Sequence, residues 1–414
     1  MIRAAVSIWI LSAVVCLGRG DHHHSHEDHQ HESDLSATNL KLVSTANTEF
    51  ATRLYKKLAA QTDSQGKNIF FSPIGVTLAL TALSVGARGD TYMQLFTGLG
   101  FNSSSLTQSD VDKAFLTLLT GLNGTSVEDV SAGTALFVEE TFKPEPQYME
   151  VVKQSYLADV FTVDFTNTTE SINTINKYVE EKTNGKIEKL VEDLDPSTLM
   201  DLVSYMYFKG KWELPFDPKN TREDLFHVDE QTKVPVQMMF LGKRVNTYYD
   251  VEISTSVLQL HYKGSRSMLL VLPKNGLAEL EEVISQNHIN KWLKWMEREL
   301  NHVFVPKFSI KTSYELNNML SEMGMPDMFG PRADFSGMSA SQELFVTLVM
   351  HKATLDVDEA GATAAAATEM RLMGSCPQPI KVNVLKFNRP FMVLIVEAKT
   401  ENILFMGKIV NPNI

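Results

Sequence analysis

The stretch Glu359-Ala360-Gly361-Ala362-Thr363-Ala364-Ala365-Ala366-Ala367-Thr368 consists almost entirely of small residues, yet it lies between hydrophobic segments. The apolar, β-branched character of residues 344–357 and 386–396 predicts a strand on either side of it. The run is then either a linker that never packs, or a segment whose small side chains let it enter a sheet as an additional strand. The choice between these interpretations decides what the protein does.

Length and charge bound the class of protein. The chain has 414 residues, 43% of them hydrophobic, which is enough for a large core in one large domain or two modest ones. Its formal net charge is −12 at pH 7, whereas a protein that binds nucleic acid needs a positively charged surface. We therefore expect no binding to nucleic acid.

The first twenty residues have the pattern of a secretory signal. Arg3 supplies the positive start, residues 4–17 are mostly apolar, and Gly18 and Gly20 offer small residues for cleavage. The apolar stretch is too short to span a bilayer comfortably, and no other segment is long and apolar enough. We expect residues 1–20 to be removed and the mature protein to be secreted into the extracellular space and plasma, with no membrane partner.

Cysteine usage agrees with a fold that depends on its core. Cys16 leaves with the signal, so the mature chain keeps Cys376 alone and has no internal disulfide. Two interpretations of Cys376 stay open. It is either a redox-sensitive or mixed-disulfide switch, or a tolerated exposed residue in a variable loop.

Three Asn-x-Ser/Thr triplets in polar, turn-like stretches predict glycosylation at Asn102, Asn123 and Asn167.

Residues 21–44 form a polar tail whose first part is rich in histidine and acidic residues. Such a composition is typical of a solvated, disordered segment, and we expect disorder over 21–44. Loose binding of zinc or copper is the alternative, but nothing apolar nearby predicts a rigid metal site. We assign no metal ligand and no cofactor.

From residue 45 to the end the chain is predicted to form one α+β domain. Ser72 and Pro73 open a buried helix as N-cap and first helical residue. Other helices are predicted at 45–58, 90–97, 108–121, 144–155, 169–183, 277–285, 289–299 and 313–322. Strands are predicted at 131–138, 159–164, 199–208, 254–262, 267–272, 302–310, 344–357, 381–396 and 402–409. Helices come mostly first and strands mostly last, a pattern that favours large antiparallel sheets.

Five segments, in this order, resemble the serpin family over residues 46–414: Asn68-Ile-Phe-Phe-Ser-Pro73, Tyr207-Phe-Lys-Gly-Lys-Trp212, Asp356-Val-Asp-Glu-Ala-Gly361, Phe387-Asn-Arg-Pro-Phe391 and Leu404-Phe-Met-Gly-Lys-Ile-Val-Asn-Pro412. The chain is most similar to the alpha-1-antitrypsin and antichymotrypsin branch of plasma serpins.

The resemblance implies a fold of about nine helices and three β-sheets, with an exposed reactive loop at about 359–380. It also implies a function as a suicide substrate rather than an enzyme. A serine protease of the chymotrypsin or elastase type cleaves the loop, the loop inserts into the central sheet, and the acyl-enzyme is trapped as a covalent 1:1 complex with the monomeric inhibitor. The alternative is a non-inhibitory serpin that carries a hormone or another small hydrophobic ligand.

In this resemblance Glu359 ends a strand and Gly361 begins the hinge that must enter the sheet. Alternate side chains of an entering strand point under the sheet, where a charge or a proline would stall it. The hinge residues after Gly361 are uncharged and small: Ala362, Thr363, Ala364, Ala365, Ala366, Ala367 and Thr368. This composition fits an inhibitory serpin.

The scissile bond has three candidates. The family's spacing from the hinge glycine puts it at Ser375-Cys376. Met373-Gly374 would suit an elastase- or chymotrypsin-like pocket better than serine does. A trypsin-like enzyme would prefer Arg371-Leu372, but cleavage there would leave a shorter segment to carry the protease along the sheet. Met370 is a further candidate beside Arg371.

Residues elsewhere are assigned to the opening of the sheet. The resemblance implies that Trp212 lies at the top of the central sheet, where insertion begins, and that Glu359 pairs with Lys307 to close that gate. His351 matches a histidine under the sheet that hydrogen-bonds helix and strand residues, and Ser72 and Ser204 are assigned to the same sheet opening.

The pattern departs from the family at two positions. Family members often have Ser where Gly75 stands and Asn where Ser204 stands, so the usual network is not expected to form in the same way.

Other functions find little support. The chain contains no G-x-S-x-G, H-E-x-x-H or phosphate-loop motif. The helix at 108–121, where heparin-regulated serpins carry basic residues, has only Lys113 beside Asp110 and Asp112. We therefore expect no strong heparin binding.

Overall fold

The computed structural model describes residues 25–64, 66–123, 129–340, 344–360 and 382–414. Nine α-helices lie in these residues: α1 Ser25–Ala60, α2 Pro73–Gly86, α3 Gly89–Gly98, α4 Gln108–Asn123, α5 Pro146–Tyr156, α6 Thr168–Lys182, α7 Leu277–Val283, α8 Gln286–Lys294 and α9 Asn317–Glu322. None of them is both long and apolar enough to cross a membrane.

The start of α1 corrects the predicted disorder of 21–44, which is wrong from Ser25 onward. Asn39 and Val43 are buried on one face, at the i, i+4 spacing of a helix. Asn39 Nδ2 donates a hydrogen bond to Asp110 Oδ1 of α4 at 2.9 Å, and Asn402 Nδ2 donates to Ser44 Oγ at 2.8 Å. These few contacts hold helix α1 against the rest of the fold well before residue 45.

Helix α2 begins as its sequence predicts. Ser72 has an extended backbone and its Oγ accepts a hydrogen bond from the backbone N–H of Gly75, while Pro73 occupies the first turn. All but one of its 14 residues are buried, so the helix runs through the core.

Fourteen strands complete the described fold: β1 Ile69–Phe71, β2 Asp129–Glu139, β3 Ala158–Val163, β4 Met200–Lys209, β5 Arg222–His227, β6 Lys233–Asp250, β7 Thr255–His261, β8 Arg266–Pro273, β9 Glu297–Pro306, β10 Phe308–Glu315, β11 Leu348–Val357, β12 Asn383–Lys386, β13 Phe391–Glu397 and β14 Ile403–Ile409. They form a five-stranded sheet in the order β10-β11-β4-β2-β3 and a nine-stranded sheet in the order β1-β14-β13-β8-β7-β6-β9-β12, with β5 on β6.

The nine-stranded sheet divides at β6, whose 18 residues serve two partner sets. Its first part pairs with β5 and its last part with β7, while β9 lies along its middle. The α+β class predicted from the sequence is confirmed, with nine helices and two sheets in the described residues.

Several predicted boundaries were wrong. The helix predicted at 289–299 ends at Lys294 because β9 begins at Glu297, and the one at 313–322 begins at Asn317 because β10 continues to Glu315. The single strands predicted at 302–310 and 381–396 are each two strands. Strands β1, β5 and β6 were not predicted.

Two apolar clusters cover the five-stranded sheet. The larger fills the space between its inner face and the nine-stranded sheet. The smaller lies on its outer face, where α6 and the segment 187–194 cover β2, β3 and β4. Alternate residues of β4 and β11 therefore point to different clusters.

Candidate functional site: a parallel seam in the five-stranded sheet

The seam, which we define as the paired strands β4 and β11, is parallel. Its register runs from Leu348 opposite Asp201 to Leu355 opposite Phe208. Strand β10 is antiparallel to β11, and β2 is antiparallel to β4. A chain that turns back after β11 would be antiparallel to both β4 and β11. The seam is thus a place where one additional strand converts a parallel pairing into two antiparallel ones, which are slightly more stable.

The upper end of the seam, where β4 and β11 both finish, is held by Asp358. Lys209 Nζ lies 3.0 Å from Asp358 Oδ2, and Trp212 Nε1 donates a hydrogen bond to Asp358 O at 2.9 Å. Trp212 is buried and stacks on Tyr262 with ring centroids 4.2 Å apart. Trp212, three residues after the end of β4, therefore contacts the chain that leaves β11.

Glu359 is held on the opposite side, toward β10. Lys307 Nζ lies 2.9 Å from Glu359 Oε2, and Thr221 Oγ1 donates a hydrogen bond to Glu359 Oε1 at 2.9 Å. Burial by itself would raise the pKa of Glu359, but the bonds from Lys307 and Thr221 outweigh it and hold the pKa below its usual value. The expected ion pair between Glu359 and Lys307 is present.

His351 lies in the middle of the seam and is fully buried. The backbone N–H of Ser72 donates to His351 Nε2 at 2.9 Å, so Nδ1 carries the ring proton and donates to Ser204 Oγ at 2.6 Å. Burial lowers the pKa of His351 to about 3 and keeps the ring neutral. The bond to Ser204 crosses from β11 to β4 and holds the two strands together.

The structure shows which bonds form where the sequence departs from the family at Gly75 and Ser204. Ser204 reaches the ring directly from its register position opposite His351. A Cβ at Gly75 would lie 3.2 Å from Ser72 Oγ and 3.5 Å from His351 Cε1, so a side chain there would crowd the bonds that form. Ser72 Oγ also donates to Leu404 O at 2.7 Å, which ties α2 to β14.

The loop residues lie outside the described residues. These are the hinge from Gly361 to Thr368 and the scissile-bond candidates Met370, Arg371, Leu372, Met373, Gly374, Ser375 and Cys376. The side chain of Asn123 is also outside them. Asn102 and Asn167 are both exposed on turns or helix starts. The described residues contain no group of three or more His, Cys, Asp or Glu side chains that could hold a metal ion.

Sequence reasoning missed four residues of the site: Lys209, Thr221, Asp358 and Asp201. Lys209 and Asp358 are in the segments that carry the family resemblance, but their pairing depends on two strands that are far apart in sequence. Asp201, near the start of β4, is 1% exposed, and neither of its carboxylate oxygens has a hydrogen-bond partner among the described residues. It is a charge inside an apolar run, a signal that is visible in the sequence.

Comparisons with known proteins agree with this geometry. The model of the serpin family, described as serine protease inhibitor, matches residues 45–412. The hibernation-specific plasma protein HP-55 of Tamias sibiricus is 38% identical and matches 97% of each chain. Alpha-1-antichymotrypsin of Pongo abelii is 38% identical, over 90% of this chain and 88% of its own.

Two solved structures are similar to this chain over most of its length. Human thyroxine-binding globulin complexed with thyroxine is 35% identical, with a TM-score of 0.84 over 91% of this chain and 100% of that chain. Human glycosylated kallistatin is 37% identical, with a TM-score of 0.82 over 91% of this chain and 99% of that chain.

Proposed function

Since this chain belongs to the serpin family, we propose that it is a secreted serine protease inhibitor that acts as a suicide substrate. A protease of the chymotrypsin or elastase type takes the loop at about 359–380 as substrate. Its serine attacks the carbonyl carbon of Ser375, the peptide bond to Cys376 breaks, and an acyl-enzyme forms. Met373-Gly374 and Arg371-Leu372 are the alternative bonds.

The parallel seam is the observation that most supports this mechanism. Once the loop is cut, the segment after Ala360 is free to enter between β4 and β11, antiparallel to both. The hinge residues 361–368 carry no charge that would stall entry. The protease, still acylated to the end of that segment, is carried to the far end of the sheet and distorted before water can release it.

The energy scale is adequate for such a distortion. A new central strand gains about 10 ladder hydrogen bonds at about 1 kcal/mol each, and burial of its inward side chains adds to this. Insertion also breaks the pairing across the seam and the Ser204–His351 bond. The gain nevertheless stays on the order of 10 kcal/mol.

Lys307, Glu359 and Trp212 hold the chain out of the seam before cleavage in this proposal. The ion pair of Glu359 draws the chain toward β10, and Trp212 fixes Asp358 above β4. Both contacts are at the point where a turn back into the sheet must begin. They therefore act on the rate of opening more than on total stability, because a partly exposed pair contributes about 1 kcal/mol or less.

The features of secretion belong to the same proposal. The signal at 1–20, glycans on Asn102, Asn123 and Asn167, and a single thiol at Cys376 suit a monomeric plasma protein. Asn102 and Asn167 are exposed, as attachment of a sugar requires. Cys376 would follow the cleaved bond and become the new N-terminus of the released peptide.

A gel experiment tests the proposal. The purified protein is mixed with pancreatic elastase, neutrophil elastase, chymotrypsin and trypsin, and the products are separated under denaturing conditions. We expect an SDS-stable complex with an elastase or with chymotrypsin, and a released peptide that begins at Cys376. Clean loop cleavage by all four enzymes without a complex would contradict inhibition of these targets.

A carrier function is the second candidate, favoured by the likeness to thyroxine-binding globulin. The described residues also include a cleft of about 500 Å³ between α1, α2, α4 and β14, lined by apolar side chains such as Leu40, Ile74, Leu118 and Leu404. That volume suits a small hydrophobic ligand. A carrier would bind thyroxine tightly in a fluorescence titration and form no protease complex.

A further inference from the structure

A second cleft, of about 740 Å³, lies at the nine-stranded sheet. Residues of β6, β7, β9 and β12 line it, together with α8 and the residue that follows α8. It shares no lining residue with the seam or with the apolar cleft at α1, α2, α4 and β14. Its volume is in the range of sites that hold small molecules, so its chemistry indicates what it could bind.

Two aromatic side chains, which we call the aromatic wall, line one end of this cleft. Trp295, directly after α8, is 58% exposed, and Tyr249, near the end of β6, is 50% exposed. Exposed apolar residues that occur singly are normal, whereas a group of them in one concavity is typical of a binding site. The face of an aromatic ring attracts cations, and Lys294 Nζ already lies 5.3 Å from the ring centroid of Trp295.

Two carboxylates of β9 line the same cleft. Glu297 and Glu299 are two residues apart on the strand, so their side chains point to the same face of the sheet. Glu299 Oε2 accepts a hydrogen bond from Asn383 Nδ2 of β12 at 3.1 Å. Glu297 has neither a hydrogen bond nor an ion pair with any residue that the structure describes. The cleft thus presents a negative charge that no neighbour neutralises.

Asn301 continues the same face of β9 and lines the cleft, although only 1% of it is exposed. Its Nδ2 donates to the backbone oxygen of Glu299 at 3.1 Å, whereas its Oδ1 has no hydrogen-bond partner in the described part of the chain. A buried carbonyl oxygen without a partner costs free energy, and a donor that enters the cleft would satisfy it. Asn301 therefore favours, independently of the two carboxylates, a ligand that donates hydrogen bonds.

Lys291 is the one cation among the described residues that line the cleft. Its Nζ lies 2.7 Å from Glu252 Oε2 and 3.0 Å from Asp250 Oδ1, and these bonds hold the pKa of Lys291 above its usual value. Two carboxylates outweigh the charge of this lysine. The charged groups that remain available to a ligand are Glu297 and Glu299, so the cleft favours a cation over an anion.

The acceptors of β9 are evenly spaced. Alternate residues of a strand are about 7 Å apart, so Glu297, Glu299 and Asn301, which we call the acceptor row, follow one another at about that interval. Two amino groups joined by an extended four-carbon chain lie a comparable distance apart, and each protonated amine donates several hydrogen bonds. The methylene groups between them are apolar and suit the aromatic wall, which lies at the Glu297 end of the row.

We propose that this cleft binds a linear aliphatic polyamine, with successive ammonium groups along the acceptor row and one end of the chain against the aromatic wall. The site goes beyond the inhibitory function and does not depend on loop cleavage. An ammonium group of the ligand replaces Lys294 at the ring of Trp295. The affinity is modest and decreases with added salt, because the carboxylates are exposed to solvent.

Calorimetric titration of the mature protein at neutral pH and low salt tests the proposal. The probes are spermidine, 1,4-diaminobutane and butylamine, which have the same type of chain and three, two and one amino groups. We expect the affinity to increase in the order butylamine, 1,4-diaminobutane, spermidine, with a Kd below about 1 mM for spermidine. Heat that is absent for spermidine up to about 10 mM would overturn the site.

Variants separate this site from general attraction to an acidic protein. Glu297→Gln should weaken spermidine about fivefold and remove most of the advantage of 1,4-diaminobutane over butylamine, since one ammonium group loses its partner. Glu213→Gln removes the same charge from a different, smaller cleft and should bind as wild type. Trp295→Leu should weaken spermidine about threefold, and Lys294→Gln should strengthen it.

Equal effects of Glu297→Gln and Glu213→Gln, or an unchanged affinity in Trp295→Leu, would show that spermidine binds elsewhere and would overturn the proposal. Because no residue of the seam lines this cleft, Glu297→Gln should still form the protease complex to the level of wild type. The polyamine site and the proposed inhibitory function can therefore fail separately.

Discussion

Lys209, the last residue of β4, and Asp358, the first residue after β11, form a 3.0 Å ion pair across the upper end of the seam. Lower down, the Ser204–His351 hydrogen bond crosses between the same two strands. The sheet is thus fastened at two levels along the line where an additional strand would enter.

Removal of the upper ion pair should make the sheet easier to open. We expect Lys209→Gln to lower the melting temperature of the uncleaved protein slightly, since both side chains are partly exposed and the pair contributes about 1 kcal/mol or less. Spontaneous loop insertion or polymerisation on mild heating should accelerate more than this loss suggests, and native gels over time measure it. Lys211→Gln removes the same charge two residues away and should behave as wild type.

The face of the sheet toward which a substituted hinge side chain points should decide whether the variant traps the protease or is only cleaved by it. If the hinge enters the seam antiparallel to β11 after a two-residue turn at Glu359-Ala360, Ala366 would face the inner core and Ala365 would face outward. Ala366→Glu would bury an unpaired carboxylate on insertion, at a cost of several kcal/mol. We expect the Ala366→Glu protein to be cleaved by the target protease without an SDS-stable complex, while Ala365→Glu keeps most complex formation. Equal behaviour of the two variants would contradict the register.

His351 should make the native protein sensitive to acid. Its pKa is about 3 in the fold and about 6.5 unfolded, so the unfolded state binds the proton first. The stability contribution is fully present above pH 6.5 and is lost as pH falls toward 3, by up to roughly 1.4 kcal/mol per pH unit. Melting temperatures from pH 4 to 8 for Asp201→Asn, with and without His351→Gln, check this, and the added substitution should flatten the acid slope.

Titration of Asp201 should change the stability of the native protein in the opposite direction, with a loss as the pH rises. Its pKa is about 7 in the fold and about 4 unfolded, so the native state holds the proton more tightly. The stability contribution is present below pH 4 and is lost as pH rises through 7, on the order of 4 kcal/mol in total. Relative to Asp201→Asn, wild type should lose melting temperature between pH 5 and 8. A constant difference over that range would show that Asp201 does not titrate there.

An element of the fold could be predicted from the sequence where the residues that determine it are adjacent in the chain. Helix α2 was predictable because its cap, Ser72, and its first residue, Pro73, are adjacent in sequence. Strands β4 and β11 were predictable because both are long apolar runs. Strand β6 was missed because it is an edge for much of its length and carries exposed polar residues such as Lys243 and Arg244, which hide the apolar alternation.

Residues of the site could be predicted only where the family resemblance assigned them a position. Trp212, Lys307, Glu359 and His351 came from the family resemblance; the structure shows their contacts, and their role in the opening of the sheet stays a prediction. The bond from Lys209 to Asp358 could not be derived, because it depends on β4 and β11 being neighbours although about 150 residues separate them. The start of α1 was missed because its anchors are single polar contacts rather than an apolar stripe.

The most direct test of the account is a reversible clasp across the seam. Thr354 and Tyr207 are register partners on β11 and β4, and both point to the outer face. Adjacent strands are about 4.8 Å apart, within reach of a disulfide between cysteines at these positions. The double variant Thr354→Cys, Tyr207→Cys is made with Cys376→Ser, and complex formation with the target protease is measured before and after reduction.

We predict that the oxidised clasp is cleaved as a plain substrate and forms no SDS-stable complex, and that reduction restores the complex to the level of Cys376→Ser alone. The single-cysteine variants should form the complex under both conditions. An oxidised, demonstrably disulfide-bonded protein that still traps the protease at that level would show that the loop does not insert between β4 and β11, and would contradict the account.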